Sequence, residues 1–255
     1  MIPIYIPTRG RAGCVTTLAA LTEELRADAH LVVRRDEYNS YINNYPNTSI
    51  KVLPPRIEGL SATRQWILEN CRSRGEGFQC QLDDDITCFN TKDDLTTWSM
   101  RSSTNDDILL AFAGMIGWLI EGKAMASMTD RVSSARPQKS DWYENGRVSQ
   151  VFLYNVNMIR NIKARFDRVP IMADLDMTLQ ILEAGYNNRV WTRYSFSHKK
   201  EDSPGGCALY RTDEMKLEVA QKMSELHPGV VTWATKHKYN REYVYTTTSW
   251  RKFRR

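Results

Sequence analysis

Phe78-Gln79-Cys80-Gln81-Leu82-Asp83-Asp84-Asp85-Ile86 reads as a short buried strand that ends in three consecutive carboxylates. Three like charges at the end of an apolar segment repel one another unless something cationic stands beside them, and a divalent metal answers that need. Hard cations such as Mg²⁺ and Mn²⁺ take oxygen ligands and are commonly shared between one or two carboxylates and a substrate phosphate. An isolated run of aspartates also suits a solvated acidic turn or a set of helix caps, so the surrounding segments decide.

Outward from this strand, short β-branched runs at 2–6, 29–33, 49–53 and 78–82 alternate with helical patterns. That order predicts a largely parallel sheet covered on both faces, with ligands at the carboxyl ends of its strands. Val15, Leu18, Leu21, Thr22 and Leu25 follow one helical spacing, a shorter helix starts near Asp36, and Ser61 reads as the N-cap of the next. Downstream, 105–121 reads as a long buried helix, 124–128 and 148–154 as strands, and 131–147 as a polar loop long enough to be a partly mobile lid. Leu175, Leu179 and Leu182 predict a helix with Asp174 at its start and Gly185 past its end, before a strand at 189–197. The expectation is an α/β, Rossmann-like, mostly parallel sheet flanked by helices at 1–210, with a helical and basic extension at 211–255 packed on it.

Composition narrows the class. With 255 residues, 42% hydrophobic and 25% charged, the chain can bury a sizeable core and is no disordered segment. A formal charge of +5 suits an anionic partner such as nucleic acid or a diphosphate. Five scattered cysteines (Cys14, Cys71, Cys80, Cys88, Cys207) without a Cys-x-x-Cys pair make a poor disulfide framework, and residues 1–7 read as a strand rather than an export signal. Both point to the cytoplasm. The apolar run 108–120 is short of the roughly 20 residues that span a bilayer.

Two further segments carry chemistry. Pro7-Thr8-Arg9-Gly10-Arg11 closes the first strand and would set guanidinium and backbone donors beside a nucleotide, unless it is an ordinary strand-to-helix turn. Gly59-Leu60-Ser61-Ala62-Thr63-Arg64 opens a helix whose Arg64 can reach a base or phosphate at the same sheet edge; the plain alternative is a surface arginine.

The first turn, the Gly-x-x-x-x-Arg helix start and the Asp83–Asp85 cluster together resemble the GT-A glycosyltransferases, particularly the family-2-like group. The resemblance implies a metal-dependent transferase with Mn²⁺ or Mg²⁺ held by Asp83, Asp85 and His198, and with Pro7, Thr8, Arg9, Arg11, Arg64, Asp83 and Asp84 on the donor. It continues at Ala173-Asp174-Leu175-Asp176, where the family places its catalytic base. Here the acidic pair is spaced Asp-x-Asp rather than adjacent, which leaves the base between Asp174 and Asp176. Such a carboxylate takes the acceptor proton as the bond to diphosphate breaks, which favours inversion without fixing it. As plain structure, Asp174 would be an N-cap, Asp176 a first-turn acid and His198 a surface or capping histidine.

Gly59-Leu60-Ser61-x-Thr63-Arg64-Gln65, Leu82-Asp83-Asp84-Asp85-Ile86 and Ser203-Pro204-Gly205-Gly206-Cys207 narrow the resemblance to the TET-associated glycosyltransferases of bacterial viruses. That group implies a UDP-sugar donor, a 5-hydroxymethylpyrimidine in DNA as acceptor, and the host cytoplasm as its setting. Arg136, Trp142 and Tyr143, with Gly205 and Gly206, are the acceptor candidates. Arg136, Trp142 and Tyr143 lie in a segment that mixes cations with aromatics, as the tail 250–255 also does, and such mixtures contact phosphates and stack on exposed bases. Two other classes stay open: a GT-A enzyme acting on a glycan, lipid or protein, and a non-catalytic nucleotide or nucleic-acid binding module.

Overall fold

The computed structural model describes residues 2–199, 206, 211–238 and 241–254. Strand β1 (Ile4–Pro7) leads to the short helices α1 (Thr16–Ala20) and α2 (Glu23–Ala27), then β2 (Ala29–Val33), α3 (Tyr38–Asn44) and β3 (Ser49–Val52). Helix α4 (Leu60–Ser73) precedes β4 (Phe78–Leu82), β5 (Ile86–Thr91), β6 (Arg101–Ser102) and the long α5 (Asn105–Ile120). The chain continues through β7 (Met125–Asp130), α6 (Arg131–Ala135), β8 (Trp142–Glu144), β9 (Val151–Asn155), α7 (Val156–Asn161), α8 (Ala173–Glu183) and β10 (Asn188–His198). It closes with α9 (Asp213–Leu226) and a hairpin of β11 (Val231–Lys238) and β12 (Arg241–Thr248).

Among the described residues one sheet holds ten strands in the order β3-β2-β1-β4-β9-β7-β10-β5-β6, with β8 also paired to β10. Following the pairings across it, β9, β5 and β8 run against the other seven, so the sheet is mixed and mostly parallel as expected. One face packs α1, α2 and α5 through residues such as Ile6, Leu18, Phe112, Met128 and Phe196. The other packs α4, α7 and α8 through Tyr5, Ile67, Phe152, Ile159 and Met177. A third cluster, with Leu175, Leu179, Val219 and Met223, joins α8 to α9. No helix among the described residues is long and apolar enough to cross a membrane.

Local signals explain both agreements and departures. Helix α5 starts where Thr104 and Asp107 form a reciprocal capping box. The single helix expected over 15–25 is two, because Leu21 turns extended and the Thr22 side chain caps α2 by accepting from the Leu25 amide at 3.4 Å. Ser61 is not the cap of α4: Gly59 takes that position at φ 79°, a left-handed region open to glycine, and the Ser61 hydroxyl donates to the Pro170 carbonyl at 2.9 Å. Segment 131–147 is not a plain polar loop. It forms α6 and β8, and the fully buried Lys92 ammonium donates to the Ser134, Ala135 and Arg136 carbonyls at 3.1, 2.8 and 2.9 Å, satisfying the end of α6. The tail is likewise packed: Trp250 and Phe253 lean on the α8–α9 cluster, and Arg254 stacks on Tyr143.

Candidate active site

The turn after β4 is fixed on several sides before any side chain acts. The Thr17 hydroxyl donates to the Asp83 carbonyl at 2.6 Å and accepts the Ile86 amide at 3.0 Å. The Asp83 amide donates to the Gln150 carbonyl at 2.9 Å, and the Lys199 amide to the Asp85 carbonyl at 3.1 Å. The end of β10 is thereby tied to the acidic turn, with His198 registered opposite Ile86.

Each carboxylate then meets a different environment. Arg64, buried against the Phe152 ring at 4.6 Å, ion-pairs with one oxygen of Asp83 and donates to Gln81 at 3.2 Å. Asp84 is enclosed by Arg11, which ion-pairs with it, and by the Thr8 hydroxyl at 2.6 Å; Tyr41 in turn accepts the Arg11 amide at 3.0 Å. Asp85 receives Arg11 at 3.3 Å on one oxygen, while its other oxygen is buried and meets no partner. Burial, opposed by Arg64 and reinforced by Asp85, Asp84 and Asp174, pushes Asp83 up to about 7. Burial also holds Asp84 above its ordinary range against the pull of Arg11.

Two cavities meet at this turn. The smaller, about 190 Å³, is lined by Pro7, Thr8, Arg9 and Arg11 from the first turn, Val32 and Leu53 from neighbouring strand ends, and the three aspartates. The larger, about 880 Å³, carries Arg64, Asp130, Asp174 and, from β12, Tyr243 and Tyr245. Asp83, Gln150, His198 and Arg211 line both. The elongated space has polar groups at one end, a carboxylate at the other, and the acidic turn between.

The expected residues divide accordingly. Pro7, Thr8, Arg9, Arg11, Asp83, Asp84, Asp85 and His198 come together around the smaller cavity with Gly206, whose amide donates to the Arg9 carbonyl at 3.0 Å. Gly205 lies outside the described residues. Asp174 lines the larger cavity and does not cap α8, whose cap is the left-handed Met172 at φ 63°. Asp176 does not line either cavity. Its carboxylate is fully buried beneath Arg168 at 3.2 Å, Gln180 at 2.8 Å and His227 at 2.8 Å, and His227 reaches on to Glu183 at 2.9 Å. This places Asp176 in the seam between α8 and the C-terminal segment. Asp176→Asn is expected to cost about 3 kcal/mol of stability by denaturant unfolding, the order seen when a buried ion pair loses a partner, while kcat stays within twofold.

The acceptor candidates are mostly displaced. Trp142 is turned to the α5 face, where Arg189 stacks on it at 4.1 Å and Trp118 lies beside it, because successive residues of β8 point to opposite sides. Tyr143, the next residue, does line the larger cavity. Arg136 is exposed, ends α6 and lines neither cavity. Sequence reasoning missed Gln150, Asp130, Arg211 and the tyrosines of β12, which reach the site from distant parts of the chain with no local motif to mark them.

Fit to a divalent cation can be judged from the donor set. Among the described residues no three His, Cys, Asp or Glu groups converge closely enough to hold an ion unaided. Three groups of the right kind nonetheless line the smaller cavity: Asp85, one of whose oxygens is buried without a partner, Asp83, of which Arg64 takes one oxygen, and His198. The Nδ1 of His198 lies 2.7 Å from the Lys199 carbonyl, so it carries the proton and leaves Nε2 with its lone pair. Oxygen and imidazole donors completed by substrate phosphates suit Mg²⁺ or Mn²⁺.

The chain matches the TET-Associated Glycosyltransferase family over residues 2–206. The beta-glucosyl-HMC-alpha-glucosyl-transferase of Enterobacteria phage T2 is 20% identical over 249 residues, covering 92% of this chain and 84% of the relative. Its counterpart from Enterobacteria phage T6 is 19% identical over 252 residues, with the same coverage. Among solved structures, GalNAc-T7 with UDP, GalNAc and Mn²⁺ superposes at a TM-score of 0.53 and 10% identity, over 78% of this chain and 43% of that one, a likeness of fold. Because the family match runs from β1 through the acidic turn and α8 to Gly206, and so takes in the three aspartates, Asp174 and His198, the chain belongs to the TET-associated glycosyltransferases and is an enzyme of sugar transfer with a GT-A fold.

Proposed function

We propose that this glycosyltransferase moves a sugar from a UDP-sugar to a hydroxyl carried by a 5-hydroxymethylpyrimidine in DNA, inside an infected host's cytoplasm. The observation that carries the reading is the junction of the two cavities at Asp83, Gln150 and His198, with Arg9 and Arg11 lining the smaller and Asp174 the larger. The phage T2 and T6 relatives, whose names specify a glucosylated HMC acceptor, support the choice of DNA.

In this reading the smaller cavity holds the nucleotide. Arg9 and Arg11 face its phosphates, and Thr8 and Tyr41 fix the Arg11 backbone and Asp84 in place. Asp83, Asp85 and His198 would hold a Mn²⁺ or Mg²⁺, which when bound neutralises charge on the departing diphosphate. Arg64 keeps Asp83 aligned from behind. Asp174, in the larger cavity, takes the proton of the acceptor hydroxyl. A base drawn out of the stack enters beside Tyr143 and the β12 tyrosines, which offer stacking faces.

The deciding experiment supplies a panel of UDP-sugars and Mn²⁺ with hydroxymethylated, glucosyl-hydroxymethylated or unmodified DNA, then weighs the nucleosides. A hexose gain confined to the modified DNAs supports the proposal, and which of the two gains it tells a base hydroxymethyl from a sugar hydroxyl as acceptor. Turnover on glycan, lipid or protein but not DNA overturns the acceptor. The same product reads stereochemistry: a β-linked sugar from an α-linked donor accords with inversion and Asp174 as base. An α-linked product, like the one for which the phage relatives are named, removes that role from Asp174.

Asp83 predicts a pH dependence. Its value in the fold, about 7, lies above the ordinary 3.8, so the folded state favours the protonated acid. Stability contributed by this group is full below about pH 4 and is lost as pH rises through about 7. A cation requires the ionised form, so donor binding with Mn²⁺ is expected to tighten as pH rises from about 6 to 8, with net proton release. Calorimetry in two buffers of different ionisation enthalpy reads both; affinity flat over that range would contradict the assignment.

A further inference from the structure

The larger cavity has a polar floor that none of the roles above employs. Thr129, only 8% exposed, lines this cavity at the end of β7, and its hydroxyl meets no hydrogen-bond partner. The side-chain oxygen of Gln150 is buried and equally unpartnered, and Gln150 lines both cavities. On the other side of β7, Ser195 of β10 is fully buried with an unpartnered hydroxyl. Unpaired buried polar atoms are scarce in folded proteins because each carries a desolvation cost of kcal/mol size.

Strand order relates these three residues. Ser195 pairs with Thr129 in the parallel β7/β10 ladder. The antiparallel β7/β9 ladder pairs Met125 with Tyr154 and Ala126 with Leu153 and ends there; Gln150 stands just before β9, at the position that the same register, counted on, matches to Thr129. Gln150 also adopts φ 59°, a left-handed conformation uncommon for a side chain of its size. Its carbonyl accepts the Asp83 amide at 2.9 Å, so the strained residue is locked to the acidic turn. Strain of this kind persists where the surroundings impose it, and it collects at functional sites.

We infer that Gln150 and Thr129, with Ser195 behind them, form the subsite that reads the hydroxyl groups of the transferred sugar. The inference rests on the proposed use of a nucleotide sugar and adds to it. The location selects the donor's sugar over the acceptor: Gln150 is at the junction beside Asp83, where a sugar attached to diphosphate must lie, with Asp174 ahead of it. The chemistry is complementary. An amide oxygen accepts one sugar hydroxyl, and a threonine hydroxyl both accepts and donates, so a polyol satisfies groups that the protein leaves bare. A site that hydrogen-bonds a substrate hydroxyl discriminates steeply against analogues in which that hydroxyl is missing or displaced.

The test compares wild type with Thr129→Val, which keeps the shape of a buried strand residue, and with Gln150→Asn, which tolerates positive φ but withdraws the amide. Each is assayed for kcat/KM on UDP-glucose, UDP-galactose and UDP-N-acetylglucosamine, and for UDP affinity by calorimetry, with circular dichroism and thermal melting as checks of folding. The expected result is a loss of about tenfold to a hundredfold on the preferred sugar, smaller losses on the others, and UDP affinity within twofold of wild type. A folded variant with unchanged sugar preference, or with losses equal on all donors and matched by UDP, overturns the subsite alone. A wild type that turns over no UDP-sugar overturns the proposed donor, and the subsite with it.

Discussion

Asp85→Asn is expected to lower sugar transfer by about a thousandfold or more while leaving the fold intact, because it removes several kcal/mol of charge stabilisation at the leaving group. One oxygen of Asp85 is buried without a partner, although every neighbouring carboxylate is engaged by an arginine. The turn that carries it is held through its backbone by the Thr17 hydroxyl, the Lys199 amide and the Gln150 carbonyl, none of which uses the Asp85 side chain. Asparagine preserves shape and withdraws charge. Kinetics with saturating donor, beside Mn²⁺-dependent UDP binding by calorimetry, checks it; near-normal turnover would remove Asp85 from the metal set.

Asp174→Asn has the second largest expected effect, a fall in kcat of about 10²- to 10⁴-fold with KM for the donor changed only a few-fold. Its helix is anchored without it: Met172 caps α8, the Thr178 hydroxyl donates to the Asp174 carbonyl at 2.7 Å, and the side chain is left facing the larger cavity. Loss of a general base acts on the chemical step, whereas loss of a binding group would raise KM. Measurement of both constants on one modified oligonucleotide separates the two. Beside Asp176→Asn, the pair should split cleanly into a kinetic defect and a stability defect.

Much of this was legible in the sequence, for identifiable reasons. The strands at 29–33 and 78–82 are short apolar segments, the first ending in two valines, and α5 starts at Asn105 behind a capping box; such signals act over a few residues. The aspartates and the first turn stand in short motifs and His198 came from the family resemblance, and all of them line the smaller cavity. What escaped depends on distant partners. Asp176 looks like a first-turn acid until His227, fifty-one residues away, is brought against it. Trp142 and Tyr143 read as a matched aromatic pair, but β8 sends them to opposite faces of the sheet. Gln150 has no motif; its place follows from a backbone bond to Asp83 that only the assembled sheet provides.

The arginines around the acidic turn also bear on how the protein comes into being. Arg11 and Arg64 face the three aspartates across ion pairs, so the turn carries its own counter-charges from the moment the sheet closes. Many small metalloproteins collapse only when an ion gathers their ligands. Here the arginines do that work within the chain, so folding is expected to be the same in the presence of a chelator as with Mn²⁺, whatever the site goes on to bind.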